Sequence, residues 1–538
     1  MPNGILTKLI QIKTHMENGI SSIDLVVIGI YFVTVLFIGL LVARKTKTGE
    51  DLFLGGRSFG WGLIGLSLFA SNISTSTIIG LSGAAYSTGI VQSVYEWMTG
   101  IPLIIAALIF IPLYLKSRIT TIPEFLELRY DRRSRQFFSV VTIFTSIVVD
   151  TAGGLYAGAI VLKAFFPDLV IWQTTLVLAL VAGFYTAVGG LKAVVYTDAI
   201  QAIVLIIGCS VLSFMMFGQF DYSWSKVVET APQDFLSIVK PADDDTLPWP
   251  GMIMAVPILG FWYWTTNQYI VQRILGAKNI QNARWGVILA SFLKIIPLFI
   301  MVIPGTMAIG LFPGLENADQ VFPTAVMNVL PVGLVGLVLA GLISAIMSSV
   351  DSTLNSASTL LVVDFIKTKN REITDQQMVK YGRIATLILM AVAAFWAPMI
   401  ANFGGIWSYL QQMFSIIVPP IAVIFLVGVF FKRGNKHGAF WTLILGTLAG
   451  VVLFVLGQYG YWPLHFTYNV GIMSLVSALI FIGISLASAA PDPKQIELYT
   501  YRKELISMDN AGLPWHKNYL NWIGLLVIAI GALVYVFW

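Results

Sequence analysis

Apolar residues run along this chain in long unbroken stretches, and polar residues gather in the intervals between them. A continuous apolar run of about 20 residues is what a helix needs to cross the hydrocarbon core of a bilayer, so each run predicts a spanning helix. Fourteen segments fit: 23–43, 59–83, 92–115, 135–165, 169–187, 190–217, 250–272, 283–312, 333–365, 379–400, 405–431, 437–457, 468–489 and 518–537. None shows the ten-residue alternation of a membrane β-barrel strand.

Charge orients the stack. Of the 32 Lys and Arg, 26 fall in or beside the loops after odd-numbered spans, among them Arg44, Lys45, Lys47, Arg132 and Arg133. The other side collects Asp221, Glu229, Asp234 and the run Asp243, Asp244, Asp245. The positive-inside rule then places both termini away from the cytoplasm. Composition agrees: 57% of the 538 residues are apolar and only 11% charged, whereas soluble domains carry about 25% charged residues. The single cysteine, Cys209, has no partner for an internal disulfide and is expected in the core. The four histidines are scattered without metal-ligand spacing.

Two of the predicted spans are interrupted. Span 2 contains Ser71-Asn72-Ile73-Ser74-Thr75-Ser76-Thr77, and span 7 contains Thr265-Thr266-Asn267-Gln268 beside an aromatic cluster. Such side chains compete for backbone hydrogen bonds, and a broken helix survives at membrane depth only where it is buried or lines a cavity. Spans 2 and 7 lie five apart, an odd number, so spans 2–6 and 7–11 cross the membrane in opposite senses. That is the topology of an inverted-repeat secondary transporter, whose solute and ion sites lie at the discontinuous helices. The halves show no convincing sequence identity, so the symmetry rests on topology.

Ionisable residues inside the spans are Glu96, Asp150, Asp198, Lys294 and Asp351. Each costs roughly 2.5–3.5 kcal/mol to insert, so each needs a partner or a water-filled cavity. Lys294 lies about 16 Å into its span at helical rise, too deep to snorkel. Asp150, followed by Gly153 and Gly154, either lines a cavity or pairs structurally. In span 9, Ser348 and Ser352 share a helix face, as do Ser349 and Thr353. Oxygen-only ligands suit a small hard cation, with sodium the natural candidate, and carbonyls freed by the break in span 2 could complete its shell.

Seven stretches resemble a known family: FASNIS in span 2, YEWM at 95–98, TIPEFLELRY at 121–130, GGLKAVVYTDAIQ at 189–201, WYWTTNQYIVQR at 262–273, SSVDSTLNSAS at 348–358 and PPIAVIFLVGVFFKR at 419–433. They resemble the sodium/solute symporters, and within them the sodium–sugar cotransporters, over about residues 30–490. The resemblance implies an all-α membrane protein with a leucine-transporter-type five-plus-five inverted repeat and discontinuous first and sixth core helices. It divides the chain into an N-terminal segment with span 1 (1–58), a first repeat (59–217), an extracytoplasmic loop (218–249), a second repeat (250–431) and peripheral spans (432–538).

The resemblance also implies site residues. Sodium falls to the carbonyls of Ala70, Ile73 and Ala345 and the hydroxyls of Ser348 and Ser349. Asp198 matches an aspartate linked to cation coupling, and Asp351 and Ser352 occupy the region of a possible second cation site. For a sugar, Glu96, Thr99, Lys294 and Gln411 are the hydroxyl-binding groups, with Tyr263 as inner gate and Tyr95 and Trp407 as outer gate. Asp150 and Trp264 are assigned to the same solute site. Thr77 and Gly260 stand where a galactose-transporting bacterial member has Gln and Asn, which removes hydrogen-bonding reach.

The expected function is sodium-coupled uptake of a neutral sugar across a bacterial inner membrane. The alternatives are another solute (myo-inositol, sialic acid or an amino acid) and a sensor or channel on the same scaffold. No nucleophile–base pair, metal cluster or Walker motif points to an enzyme or to ATP drive, and no nucleic-acid partner is expected.

Overall fold

A computed structural model describes residues 20–44, 46–367, 373–403, 406–462, 464–504 and 513–538; the side chains of 185, 188, 401–412 and 458 are outside that description. Among the described residues the regular secondary structure is all helical, apart from two isolated β-bridges. The apolar helices are α1 (Ser22–Ala43), the pair α2 (Trp61–Asn72) and α3 (Thr75–Thr88), α4 (Ile90–Lys116), α5 (Arg132–Phe165) and α6 (Ile171–Gly218). After the 218–249 loop come α7 (Trp249–Thr265), α8 (Gln268–Leu275), α9 (Ile280–Leu311), α10 (Leu334–Lys367) and α11 (Asp375–Ile400). The last four are α12 (Ile406–Phe430), α13 (Lys436–Gln458), α14 (Phe466–Ala487) and α15 (Tyr519–Val536).

Eleven of these helices are long and apolar enough to cross a membrane, or twelve with α2 and α3 taken as one span bent by 60°. The expected spans 169–187 and 250–272 are present as shorter helical pieces. The first ends in a kink at Gly190, whose φ of +60° and ψ of −161° turn α6 sharply. The second is interrupted after Thr265. Both breaks anticipated from the polar patches are therefore in place.

Their local chemistry explains them. At the first break Ser74 caps α3 by accepting the Thr77 N–H at 3.1 Å, while the Ser74 N–H turns back to the Asn72 carbonyl at 3.1 Å. At the second, the N–H groups of Thr266 and Asn267 both donate to the Trp262 carbonyl, and Asn267 then caps α8. Side-chain caps replace the missing helical bonds, as an interruption at membrane depth requires.

A second symmetry lies in the helices that follow each break. Wide, π-type turns occupy Ala106–Phe110 in α4 and Leu298–Val302 in α9, and each is followed by Ile-Pro (Ile111-Pro112, Ile303-Pro304). Proline lacks an N–H and crowds the preceding turn, and a widened turn relieves both. The next pair, α5 and α10, carries π-type turns at Thr145–Thr151 and Leu361–Lys367. The two halves thus share the breaks and the first pair of bulges at matching places, whereas the second pair differs, lying mid-helix in α5 and at the end of α10.

α10 is buried along almost its whole length, whereas α1 and α15 expose most of their apolar surface outward. Cys209 is buried and free, as expected of a core residue. Three arginines counted among the loop charges, Arg129, Arg273 and Arg284, are instead fully buried. Arg129 donates to the carbonyls of Gly428, Phe431 and Gly434, satisfying the end of α12. Part of the TIPEFLELRY motif is accordingly a structural clasp.

Candidate functional site

A cavity of about 180 Å³ lies where the two broken helices meet α4, α5, α9 and α10. From the first break Asn72, Ser74 and Thr77 face it; from α4, Tyr95, Glu96 and Thr99. α5 supplies Asp150 from its π-type turn, with Gly153 and Gly154 beside it, and α7 supplies Gly260, Tyr263 and Trp264. Lys294 comes from α9 and Ser349 from α10. Nine residues assigned to the solute site or its gates therefore border one space. The side chains of Gln411 and Trp407 lie outside the described residues, although Phe414, one turn further along α12, reaches the cavity.

Lys294 and Glu96 form an ion pair, and Lys294 Nζ also donates to Asn72 Oδ1. Both charged residues are buried. The pair thus arrives preformed and electrically compensated, which lowers the cost of holding either charge at this depth. Glu96 also takes the Thr99 hydroxyl on its backbone carbonyl, fixing Thr99 within the wall. Tyr269 donates its hydroxyl to that of Tyr263 at 2.6 Å, stiffening the ring assigned to the inner gate. Thr77 Oγ1 is engaged with Ser74 Oγ at 3.0 Å. A Cβ added at Gly260 would stand 3.0 Å from Pro102 Cγ and 3.4 Å from Thr99 Cγ2, so this position favours glycine on packing grounds.

Of the residues assigned to sodium, Ser349 borders this cavity, and Ala70, Ile73, Ala345 and Ser348 are not among its lining residues. In a continuous helix the Ala70 and Ile73 carbonyls would accept the N–H groups of Ser74 and Thr77. Those donors are diverted to the Asn72 carbonyl and to Ser74 Oγ. The break thus turns away the regular helical donors of the two carbonyls named for the cation. Ala345, Ser348 and Ser349 are buried on α10, which meets the first break through Ser71 Oγ, 3.4 Å from Ser348 Oγ, and through Thr75 Oγ1, which donates to the Leu342 carbonyl at 3.2 Å. Ser349 Oγ donates to the Ala345 carbonyl at 2.8 Å, and Ser348 Oγ donates to Asp198 Oδ1 at 2.6 Å.

Asp198 is the hub of a wider network. Its Oδ2 accepts from Ser67 at 2.6 Å and Ser71 at 3.0 Å, and it pairs with Arg273 at 3.1 Å. Arg273 also donates to Ser67, Ser71 and Ser352, and Ser352 donates to Asp351 Oδ1 at 3.1 Å. The α2 hydroxyls, Asp198 on α6, Arg273 on α8 and the α10 serines are thereby one buried unit joining both broken helices.

Sequence reading gave Arg273 no role of its own: it lies one residue past the predicted span 250–272 and was counted with the loop charges, although it ends the WYWTTNQYIVQR stretch. Its signal was the spacing Gln268, Gln272, Arg273, too polar for a lipid-facing helix. Asn72 was read only as part of a break, yet it supports Lys294 directly. No group of three or more His, Cys, Asp or Glu suited to a metal occurs among the described residues.

Residues 52–446 match the model of the sodium:solute symporter family. Sodium/myo-inositol cotransporter 2 of Oryctolagus cuniculus is 33% identical over 530 residues, covering 89% of this chain and 78% of its own. Sodium/glucose cotransporter 4 of Danio rerio is 30% identical over 556 residues, covering 93% of this chain and 84% of its own. Among solved structures, a Na+-coupled sialic acid symporter in a substrate-bound outward-open state superposes with a TM-score of 0.78 at 23% identity, covering 88% of this chain and 99% of that one. A nucleobase-cation-symport-1 family transporter in a closed conformation does so at 0.53 and 13% identity, over 85% of this chain and 98% of that one. Both share the fold.

Proposed function

Because the chain belongs to the sodium:solute symporter family, a family of multi-pass transporters that carry sodium with their solute, we propose that its own solute is a neutral polyol, a hexose or an inositol. The observation that carries this reading is the charge of the cavity. Its described charged residues are Glu96, Asp150 and Lys294, and Lys294 is already paired with Glu96. An anionic solute would find the one cation among the described lining residues, Lys294, already neutralised by Glu96, and a second carboxyl group, Asp150, in the same wall. A polyhydroxylated neutral solute can instead use carboxylates as acceptors, and Asn72, Thr77 and Thr99 as neutral partners, against the aromatic faces of Tyr95, Tyr263 and Trp264.

On this reading Ala70, Ile73, Ala345, Ser348 and Ser349 hold sodium next to the solute cavity, and Asp198, Asp351 and Ser352 form a second cation position. A cation there competes with Arg273 for Asp198 and ties α10 to the broken helices, so its loss loosens the unit that closes the cavity. Sodium/glucose and sodium/myo-inositol cotransporters among the relatives support the solute class. The charge alternation of the loops supports termini on the extracytoplasmic side of a plasma membrane, in a bacterium the inner one. The test is uptake into proteoliposomes under an inward sodium gradient, with a panel of hexoses, myo-inositol, sialic acid and amino acids. Concentrative uptake of a hexose or inositol is expected; concentrative uptake of sialic acid or proline alone would refute the polyol assignment.

A further inference from the structure

Helix α1 lies outside the two repeats, yet it contacts both α6, which carries Asp198, and α10, which carries Ser348 and Ser349. α6 and α10 run antiparallel along a common seam. Ser348 donates to Asp198 at one level. Gln201 and Ser344, one turn further along each helix, stand at the next. Beyond them Gly341 packs on the Leu205 backbone and Gly208 on that of Val338, so that a Cβ added at either glycine would stand 3.4 Å from the facing Cα. The second level is bridged from outside by Tyr31 of α1. Its hydroxyl accepts from Gln201 Nε2 at 3.3 Å and faces Ser344. Tyr31 and Gln201 are both buried, and the Nε2 contact is what holds the Gln201 amide, since its Oε1 accepts no hydrogen bond.

Seven residues earlier, α1 is anchored to the same helix. Asp24 is buried, and its Oδ1 accepts the N–H groups of Gly333 at 2.8 Å and Gly336 at 2.6 Å, in the first turn of α10. The contact is close: a Cβ at Gly336 would stand 2.6 Å from the Asp24 backbone. Two helical turns separate Asp24 from Tyr31, and two separate Gly336 from Ser344. α1 therefore runs parallel to α10 in register, pinned at both levels, while Tyr31 and Val35 pack among Ile343, Ile346 and Met347.

We infer that α1 is a brace for the cation site, and that Tyr31 is a positioning residue which sets the spacing of Asp198 and Ser348 through Gln201 and Ser344. The inference rests on the proposed sodium role of that pair. Tyr31 lines neither the solute cavity nor the sodium carbonyls, so its effect falls on cation affinity and not on solute recognition.

The experiment is sodium activation of solute uptake in proteoliposomes by the wild type, Tyr31→Phe, Ser344→Ala and the double variant, with thermal stability measured on the same preparations. Loss of one hydrogen bond predicts a 2- to 10-fold rise in half-saturating sodium for Tyr31→Phe. Solute KM at saturating sodium should stay unchanged. The double variant should be no worse than the more affected single one, because both substitutions open the same bridge. An unchanged sodium curve, additive effects, or an equal change in solute KM at saturating sodium would each overturn the role given to Tyr31. Ser348→Ala in parallel separates the two readings. A shift there with none in Tyr31→Phe overturns the brace alone, and no shift in either overturns the sodium assignment as well.

Discussion

At the scale of single residues, the site is a set of charges and hydroxyls that hold one another in place before any solute arrives. Lys294 joins Glu96 and Asn72, so removing its ammonium leaves a buried carboxylate and an amide oxygen unpaired. Such a loss costs roughly 1.5–3 kcal/mol, or about 10- to 150-fold in solute affinity. Lys294→Ala should therefore raise solute KM steeply, while sodium still evokes its own change in intrinsic tryptophan fluorescence. A variant that transports its solute with normal KM would exclude Lys294 from the site. Most of this set was legible in the sequence, since an ionisable residue in an apolar run announces itself by its insertion cost. Arg273 was not. It follows a break, where a loop arginine and a buried one look alike, and only the fold brings Asp198 to it from 75 residues away.

At the scale of elements, the breaks were legible and the bends between spans were less so. Ser, Thr and Asn in a hydrophobic run mark where side chains take over backbone bonds, and both breaks fall at those residues. The kink at Gly190 left only a glycine pair as a trace. Its φ and ψ fall in a region open essentially to glycine, and an added Cβ would meet the Leu52 carbonyl oxygen at 2.5 Å. Gly190→Ala should destabilise the protein by about 1–3 kcal/mol, read as a lower melting temperature in detergent. The matching π-type turns before Pro112 and Pro304 show why sequence comparison of the halves failed: the repeat is kept in backbone geometry, with only Ile-Pro in common. A further element-scale test concerns α14, whose first turn is capped by His465, with the Thr467 N–H donating to Nδ1 at 3.5 Å. Burial holds the pKa of His465 below its usual 6.5, against the opposing pull of Asp244 and Asp245. The fold thus favours the neutral ring, whose contribution is complete above pH 6.5 and is lost as pH falls through the lowered value. Thermal stability should drop on going from about pH 7 to about pH 5, and His465→Asn, which caps without titrating, should flatten that drop.

At the scale of the whole molecule, the low charge content and the alternation of basic loops already dictated a polytopic membrane protein. The odd offset between the broken helices dictated that its halves be inverted. What neither could supply is which faces meet, because helices of similar apolarity pack equally well in many arrangements until small residues and buried polar groups select one. Here the Asp198–Arg273–Ser348 unit and the clasp of α1 on α10 make that selection, and they set the proposed cation position next to the proposed solute cavity. On the proposed assignment coupling follows from that adjacency: a cation that orders the broken helix would also order Asn72, and through it Lys294 and Glu96. The most direct measurement of this account is the current evoked by a neutral polyol in proteoliposomes containing the protein, recorded together with solute uptake at zero initial membrane potential. The account predicts an inward positive current that requires sodium, tracks uptake of a hexose or inositol in fixed ratio, and disappears when sodium is replaced by choline. Polyol uptake that is unchanged in choline, or that moves no charge, would contradict it.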